Sequence, residues 1–143
     1  MPGTPDRRRG DTLMGFDYGP RKIGVAVGQQ VTNTASPLTT LRAVQDKPDW
    51  AGIGALIEEW RPSLLIVGLP LNMDGSEMPL TGRARRFARQ LEGRYRLPVE
   101  LVDERLSSRA ARERMGGQIK SIEEIDAVAA QLILETWLSE HPQ

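Results

Sequence analysis

The amino-acid sequence predicts one α/β domain whose mixed five-stranded sheet has helices on both faces. Two observations indicate this class. Strand-like segments follow one another closely within residues 12–42, and strand-like and helix-like segments then alternate as far as about residue 138. Because tight turns join antiparallel strands and helical crossovers join parallel ones, we expect three antiparallel strands followed by two parallel strands.

The first strands are predicted from their composition and from the short turn between them. Residues Thr12–Gly19 form an apolar run that ends at a Gly-Pro turn, and Ile23–Gln29 begin only three residues after Pro20 opens that turn. A connection this short permits only an antiparallel pair. We predict a third strand over Thr34–Arg42, in which Pro37 favours an edge position or a bulge.

A helix and a buried strand are predicted next along the chain. Asp49 is suited to an N-cap, and the helix should end at Arg61-Pro62 because a residue before proline disfavours helical geometry. The apolar residues at helical spacing between these points are Trp50, Ile53, Ile57 and Trp60. Residues Leu64–Val67 are continuously apolar, as in a strand that is covered on both faces.

The remaining elements are predicted from apolar periodicity, capping residues and glycine breaks. They are a helix with its apolar stripe on residues 80–91, a strand over 98–104, a short helix that starts at 107 or 108 and ends at 115, and a final helix over 121–138. The first of these helices should turn its arginines outward. Gly116-Gly117 separates the last two helices, and Ser121–Glu124 matches a capping box.

The composition of the 143-residue chain limits its chemistry. There is no cysteine, and the single histidine, His141, lies close to the C-terminus, which argues against thiol nucleophiles, cysteine-bound zinc and a Ser-His-Asp triad. Any metal site must therefore use oxygen ligands, which suit Mg²⁺ or Mn²⁺. The formal charge is zero, with 19 basic and 19 acidic residues, but six arginines lie within residues 81–96.

The ends of the domain are predicted from composition. Residues 1–11 are expected to be a disordered lead-in, and residues 12–140 to form the single domain. The Arg7–Arg9 triplet fits a solvated tail, with an arm that binds nucleic acid as the alternative. No apolar run is long enough to span a membrane, and no h-region follows the first arginines. We therefore expect a cytoplasmic protein with no membrane partner.

Asp17 is a candidate metal ligand at the end of the first strand. Strand alternation places it on one face with Gly15 and Gly19, which leave open space around the carboxylate. An aspartate in a buried strand is costly unless it is paired, which favours a ligand role. The alternatives are that a helix simply packs closely there or that Asp17 caps a turn.

Glu104 and Asp126 are the other candidate acids. Glu104 stands at the carboxyl end of the last strand, where open α/β sheets usually place their sites, although a salt bridge with Asp103 and Arg105 is an equal alternative. Asp126 is surrounded by small residues that let a helix approach a sheet closely, although an exposed helix edge explains it as well.

Together the three acids suggest metal chemistry. Clustered carboxylates repel one another unless a cation balances them, and divalent metal ions held in this way can hydrolyse phosphodiester bonds. Arg21, Lys22 and Arg105 are then candidate phosphate contacts, or equally solvated surface charges. The residues between Gly68 and Glu77 form either a functional loop or an extended surface loop.

Five segments, taken together and in order, resemble the pre-16S rRNA nuclease family, also described as the YqgF, RuvX or Holliday-junction-resolvase-like family. The segments lie between about Thr12 and Leu138 and are FDYGPRKIGVAVG, VGLPLNMDGSE, LTGRARRFA, DERLSS and IDAVAAQLIL. The resemblance implies an RNase H-like fold, a cytoplasmic location and a role in maturing the 5′ end of 16S rRNA. The acids of the family pattern fall on Asp17, Glu104 and Asp126, which it implies are catalytic and metal-binding.

The function expected from this resemblance is a metal-dependent endonuclease that acts on structured RNA with Mg²⁺ or Mn²⁺. Asn72 and Arg83, which lie in two of the matching segments, join the expected substrate contacts. One departure is that Gly116–Ser121 is short and holds only Lys120, where many relatives are expected to have a longer and more basic loop. A substrate contact normally made from that loop is therefore in question for this chain.

Three other functions compete with this one. Sugar kinases and actin-like ATPases also place an aspartate and a basic residue at a first hairpin, but they pair two such domains around the nucleotide. A non-catalytic factor would use the arginine-rich face of residues 83–96 to bind RNA or the transcription and ribosome-assembly machinery. A DNA-junction resolvase needs two active sites and hence a homodimer, and the sequence leaves the oligomeric state open.

Overall fold

The computed structural model describes residues 12–105 and 122–142 and confirms the predicted α/β class. The strands are β1 (Thr12–Tyr18), β2 (Lys22–Gln29), β3 (Thr34–Val44), β4 (Lys47–Pro48), β5 (Leu64–Leu69) and β6 (Val99–Asp103). The helices are α1 (Trp50–Trp60), α2 (Pro79–Tyr95) and α3 (Ile122–Glu140). The expected lead-in over 1–11, the short helix, the glycine break and Ser121 of the capping box lie outside the described residues.

The sheet has six strands in the order β4-β3-β2-β1-β5-β6. Strands β1 to β4 pair antiparallel along the chain, and β1, β5 and β6 are parallel, as expected. The sheet therefore has one strand more than the five predicted, and the additional strand is the two-residue β4. Gln45 and Asp46 both have positive φ angles, 53° and 65°, and form a tight turn that brings Lys47 opposite Val44.

Local signals in the first half of the chain act as predicted. Val25 pairs with Thr39 and Ala26 with Pro37, so one extra residue of β3 forms the bulge expected at this proline. Asp49 caps α1 by accepting a hydrogen bond from the Gly52 backbone N–H at 2.9 Å. The helix ends at Trp60, as predicted.

Helices cover both faces of the sheet and divide the core in two. Helices α1 and α2 pack on the face that carries Met14, Phe16 and Tyr18 of β1. Helix α3 packs on the opposite face, against Leu13 and residues of the neighbouring strands. Side chains alternate along a strand, so Asp17 points to the α3 face. None of the helices that the structure describes has the length and apolar character needed to cross a membrane.

Candidate active site

Asp17 and Glu104 meet on the α3 face. Asp17 lies near the carboxyl end of β1, and Glu104 directly follows β6. Strand β5 separates β1 from β6, so the two backbones are about 10 Å apart, or two strand spacings. The two carboxyl groups are nevertheless hydrogen-bonded to each other. At Gly68 of β5, between them, a Cβ atom would overlap the Ile133 side chain and lie 2.6 Å from Glu104 Oε1, so the glycine makes room for this contact.

The surroundings of this pair change its acidity. Both residues keep some accessible surface, but their carboxyl groups are largely enclosed. Burial raises the pKa of Asp17 well above its ordinary value of 3.8, and Glu104 and the charge of Asp126 raise it further. Burial also raises the pKa of Glu104 above its ordinary value of 4.5, although the hydrogen bond with Asp17 opposes this effect. Without a cation, the pair therefore keeps a proton to higher pH than two separate carboxylic acids would.

The donor atoms of the pair fit a hard divalent cation. Glu104 Oε1 is buried and has no hydrogen-bond partner among the described residues. An unpartnered buried oxygen is costly, and a cation bound there would satisfy it. Within residues 12–105 and 122–142, no group of three acidic or histidine side chains has a metal-binding arrangement. Two carboxylates suffice for Mg²⁺, which usually keeps several waters and binds substrate phosphate as well.

Asp126 lies beside the pair, at the start of α3. Gly24 of β2 pairs with Asp17, and a Cβ atom at Gly24 would overlap the Asp126 carbonyl oxygen and lie 3.1 Å from the Ala127 nitrogen. The small residue on β2 therefore lets α3 lie directly against the sheet, as its composition suggested. The charge of Asp126 acts on Asp17, and its role as a third ligand stays a prediction.

Arg105 connects the end of β6 to the loop that follows β5. Its guanidinium donates hydrogen bonds to Asp103, the shortest at 2.6 Å, and Nη1 donates to the Met73 carbonyl oxygen at 3.1 Å. These bonds from Arg105 lower the pKa of Asp103. The salt bridge considered for this segment thus joins Asp103 to Arg105, while Glu104 turns to the other face. Arg105 already holds the loop in place, and a contact with phosphate remains a prediction.

The loop itself is closed by its own side chains. The Asn72 side chain donates from Nδ2 to Ser76 Oγ at 3.0 Å. The Asn72 backbone carbonyl oxygen accepts from the Gly75 backbone N–H at 2.8 Å. Gly75 has a φ angle of 90°, which favours glycine. Thr81, which was not among the predicted functional residues, is a buried polar residue whose hydroxyl donates to the Pro70 carbonyl and anchors the loop to α2. In the sequence, the only indication of this role was that Thr81 lies within one of the segments that resemble the family.

The remaining candidate contacts lie in two places. Arg21 is exposed in the turn after β1, and Lys22 begins β2, so both follow Asp17 closely along the chain. Arg83 lies on α2, which covers the face opposite to Asp17, and its guanidinium is 3.7 Å from the Asp46 carboxylate. The structure therefore brings Asp17 and Glu104 together, places Asp126 beside them and does not bring Arg83 to this site.

Comparison with known proteins assigns the chain to a family. A family model described as RuvX, Holliday junction resolvase, matches residues 11–140. The chain belongs to the RuvX family. It shares 59% identity over 133 residues with a Nitrosococcus oceani protein that is named as a pre-16S rRNA nuclease, covering 90% of this chain and 86% of that protein. A Sodalis glossinidius protein with the same name is 51% identical over 136 residues, covering 92% of this chain and 96% of that protein. The predicted resemblance and the enzyme class of nuclease are both confirmed.

Solved structures confirm the fold of this RuvX-family chain. A Thermus thermophilus RuvC, solved in complex with a Holliday junction substrate, superposes with a TM-score of 0.55 at 16% identity, covering 92% of this chain and 96% of that one. The fowlpox virus Holliday junction resolvase superposes with a TM-score of 0.56 at 12% identity, covering 90% and 99%. The expected RNase H-like fold is confirmed, because RuvC-like resolvases have that fold.

Proposed function

We propose that this RuvX-family protein is a metal-dependent endonuclease that processes the 5′ end of pre-16S rRNA in the cytoplasm. The observation that carries the proposal is the enclosed Asp17–Glu104 pair with its unpartnered Glu104 Oε1. Carboxylates forced together in this way gain most when a divalent cation replaces their shared proton. The RNA substrate is proposed from the names of the relatives at 51–59% identity.

Each residue of the site has a proposed task. Asp17 and Glu104 would hold Mg²⁺ or Mn²⁺, with Asp126 completing the acidic surroundings. Bound there, the cation supplies a water of lowered pKa and neutralises charge on the scissile phosphate. Arg21 and Lys22 lie in the turn after β1 and would orient phosphates next to the acids.

The loop after β5 has a positioning task in this proposal. Arg105 ties the loop to the residue before Glu104 through Asp103 and the Met73 carbonyl. This bracing would keep the Asn72 side chain at a fixed distance from the acids, where it can contact the substrate. A rigid support of this kind matters because a small displacement of catalytic groups lowers rates strongly.

Branched DNA is a second candidate substrate. It is favoured by the family description and by the fold shared with a RuvC solved on a Holliday junction. Cutting both strands of a junction would require two acid pairs, and therefore a homodimer. Precursor 16S rRNA and a four-way DNA junction, each offered with Mg²⁺ under the same conditions, would decide between the substrates.

Substitution of the two acids tests the proposal. We expect Asp17→Asn and Glu104→Gln each to lower Mg²⁺-dependent cleavage of precursor 16S rRNA by about 100-fold or more, since each removes charge that stabilises the transition state. Glu59→Gln, at an exposed position on α1, is the matched control and should cleave normally. Circular dichroism would show that all three variants fold. Undiminished cleavage by Asp17→Asn would refute the mechanism.

A further inference from the structure

A second feature of the molecule lies on the face opposite to the acid pair. A groove of about 580 Å³ runs between α2 and the β3–β4 turn. Its lining includes four cationic side chains and one acidic side chain: Lys47, Arg83, Arg86, Arg94 and Asp46. The neutral total charge of the chain hides this local excess of positive charge. We propose that this groove binds the phosphodiester backbone of an RNA strand.

The arginines of α2 form one straight wall of the groove. Arg83, Arg86 and Arg94 lie three and then eight residues apart, with Gln90 between the last two, so they share one side of the helix. The distance from the first to the last is about 16 Å at roughly 1.5 Å per residue. A wall of this length matches a run of phosphates along a strand better than one small anion.

The floor of the groove holds the charges in place. The Arg94 guanidinium lies 4.1 Å from the centre of the Trp50 ring, whose indole stacks on Phe87 at 5.6 Å. This cation–π contact fixes Arg94 over the groove. Burial and the charge of Asp46 raise the pKa of Tyr18, whereas Arg83 and Arg86 act against this increase. The charges of Asp46, Arg83 and Arg86 therefore act on Tyr18, which lines the groove with them.

Asp46, the acidic residue in the lining of the groove, is held only weakly by its cationic neighbour. Asp46 lies 3.7 Å from Arg83, and the two side chains are 58% and 52% exposed. Exposed ion pairs of this length contribute little to stability, so incoming phosphate can take the place of the carboxylate. By contrast, Arg85 outside the groove is engaged at 2.7 Å by Glu77. Arg85 is therefore held more closely by its acidic partner than Arg83, whose weak ion pair an incoming phosphate can displace.

The groove and the acid pair lie at the same end of β1. Tyr18 faces the groove, and its neighbour Asp17 points to the other side of the sheet, where it forms the acid pair with Glu104. A strand bound in the groove would reach the acids by passing the turn that carries Arg21 and Lys22. The choice of RNA as the ligand rests on the proposed function, whereas the phosphate chemistry of the groove stands independently of it.

Salt-dependent binding tests this inference. The probe is a labelled 20-nucleotide single-stranded RNA, titrated with the full chain in EDTA so that cleavage does not interfere. The logarithm of the binding constant falls as the logarithm of the salt concentration rises, and each lost phosphate contact makes this slope less steep by about 0.7 for single strands. We expect the double variant Lys47→Gln/Arg86→Gln to have a slope that is less steep by about 1.4. If binding at 1 M salt is unchanged, this difference corresponds to about 25-fold weaker binding at 0.1 M salt.

Matched variants exclude a general charge effect and unfolding. Arg89→Gln removes the same charge from an exposed position of α2 outside the groove, and its slope should stay as in the wild type. Asp46→Asn removes the competing carboxylate and should tighten RNA binding, which a misfolded protein would not do. Equal slopes for the wild type and the double variant, or an equal loss in Arg89→Gln, would overturn the inference.

Two further measurements separate the possible ligands and the two proposals. Displacement of the RNA by millimolar inorganic phosphate at constant ionic strength would show a small-anion pocket and overturn binding of a strand. Asp17→Asn should bind the RNA with the wild-type slope while failing to cleave it. If the wild type bound RNA through the groove but cleaved no precursor, the proposed function would fail and this inference would stand.

Discussion

Gly68→Ala is the substitution that most directly tests how the acid pair is built. Gly68 lies on β5, between β1, which carries Asp17, and β6, which Glu104 directly follows. The added Cβ atom would lie 2.6 Å from Glu104 Oε1, about 0.8 Å short of an ordinary contact of 3.4 Å, and would overlap Ile133 Cδ1. Both neighbours must move, but they report on different properties of the protein.

The expected size of each effect follows from these contacts. Ile133 is fully buried, so the overlap should cost stability in the way overpacking does, by about 1–3 kcal/mol. The Glu104 carboxyl group would be displaced from its position beside Asp17 by about 1 Å or slightly less. A displacement of that order can lower a catalysed rate by about 100-fold. We therefore expect a moderate loss of stability and a large loss of cleavage.

Urea unfolding and cleavage of precursor 16S rRNA would measure the two effects separately. Ile133→Val removes the overlapping Cδ1 atom, so combining it with Gly68→Ala should recover about 0.5 kcal/mol or more relative to the sum of the single changes. The same combination should leave cleavage low, because Glu104 is still displaced. Gly82→Ala is the control: nothing lies within 4 Å of that position on α2, and stability should rise by roughly 0.5–1 kcal/mol.

Two results would refute this reasoning. Wild-type cleavage by Gly68→Ala would show that the spacing between Asp17 and Glu104 is not needed for activity. Recovery of both stability and cleavage on adding Ile133→Val would show that helix packing, rather than the position of the carboxylate, is what the glycine protects.

Two other predictions concern stability. The raised pKa of Asp17 means that its favourable contribution exists below its unfolded value of 3.8 and is lost as pH rises through the folded value. In EDTA, Asp17→Asn should therefore unfold at higher urea than the wild type at about pH 7, and the difference should shrink toward pH 4; an equal difference at both would contradict this. Thr81→Val should cost about 1–3 kcal/mol by leaving the Pro70 carbonyl without its partner, whereas Thr81→Ser should cost less. Equal losses would show that the hydroxyl is unimportant.

The elements that could be predicted from sequence are those with local signals. The cap at Asp49, the bulge at Pro37 and the alternation along β1 each depend on a few neighbouring residues, and all three are confirmed. Strand β4 was missed because its turn uses Gln45 and Asp46, neither of which is the glycine expected for positive φ angles.

The arrangement of the site depends on contacts that no local pattern contains. The meeting of Asp17 and Glu104 requires the strand order β1-β5-β6 and an absent side chain at Gly68, which reads in the sequence only as the end of an apolar run. Arg83 shows the same limit. Its charge suggested a substrate contact, but only the packing of α2 shows that it lies across the sheet from the acids.

Alternation along β1 has a consequence for how this protein can change during evolution. Successive residues supply different functions: Phe16 and Tyr18 pack on Phe87 on one side, and Asp17 joins Glu104 on the other. Deleting or inserting one residue in this strand would exchange the two sides, bringing a carboxylate into the aromatic cluster and an aromatic ring toward the acids. Substitutions can alter either face separately, but length changes within β1 would damage both at once.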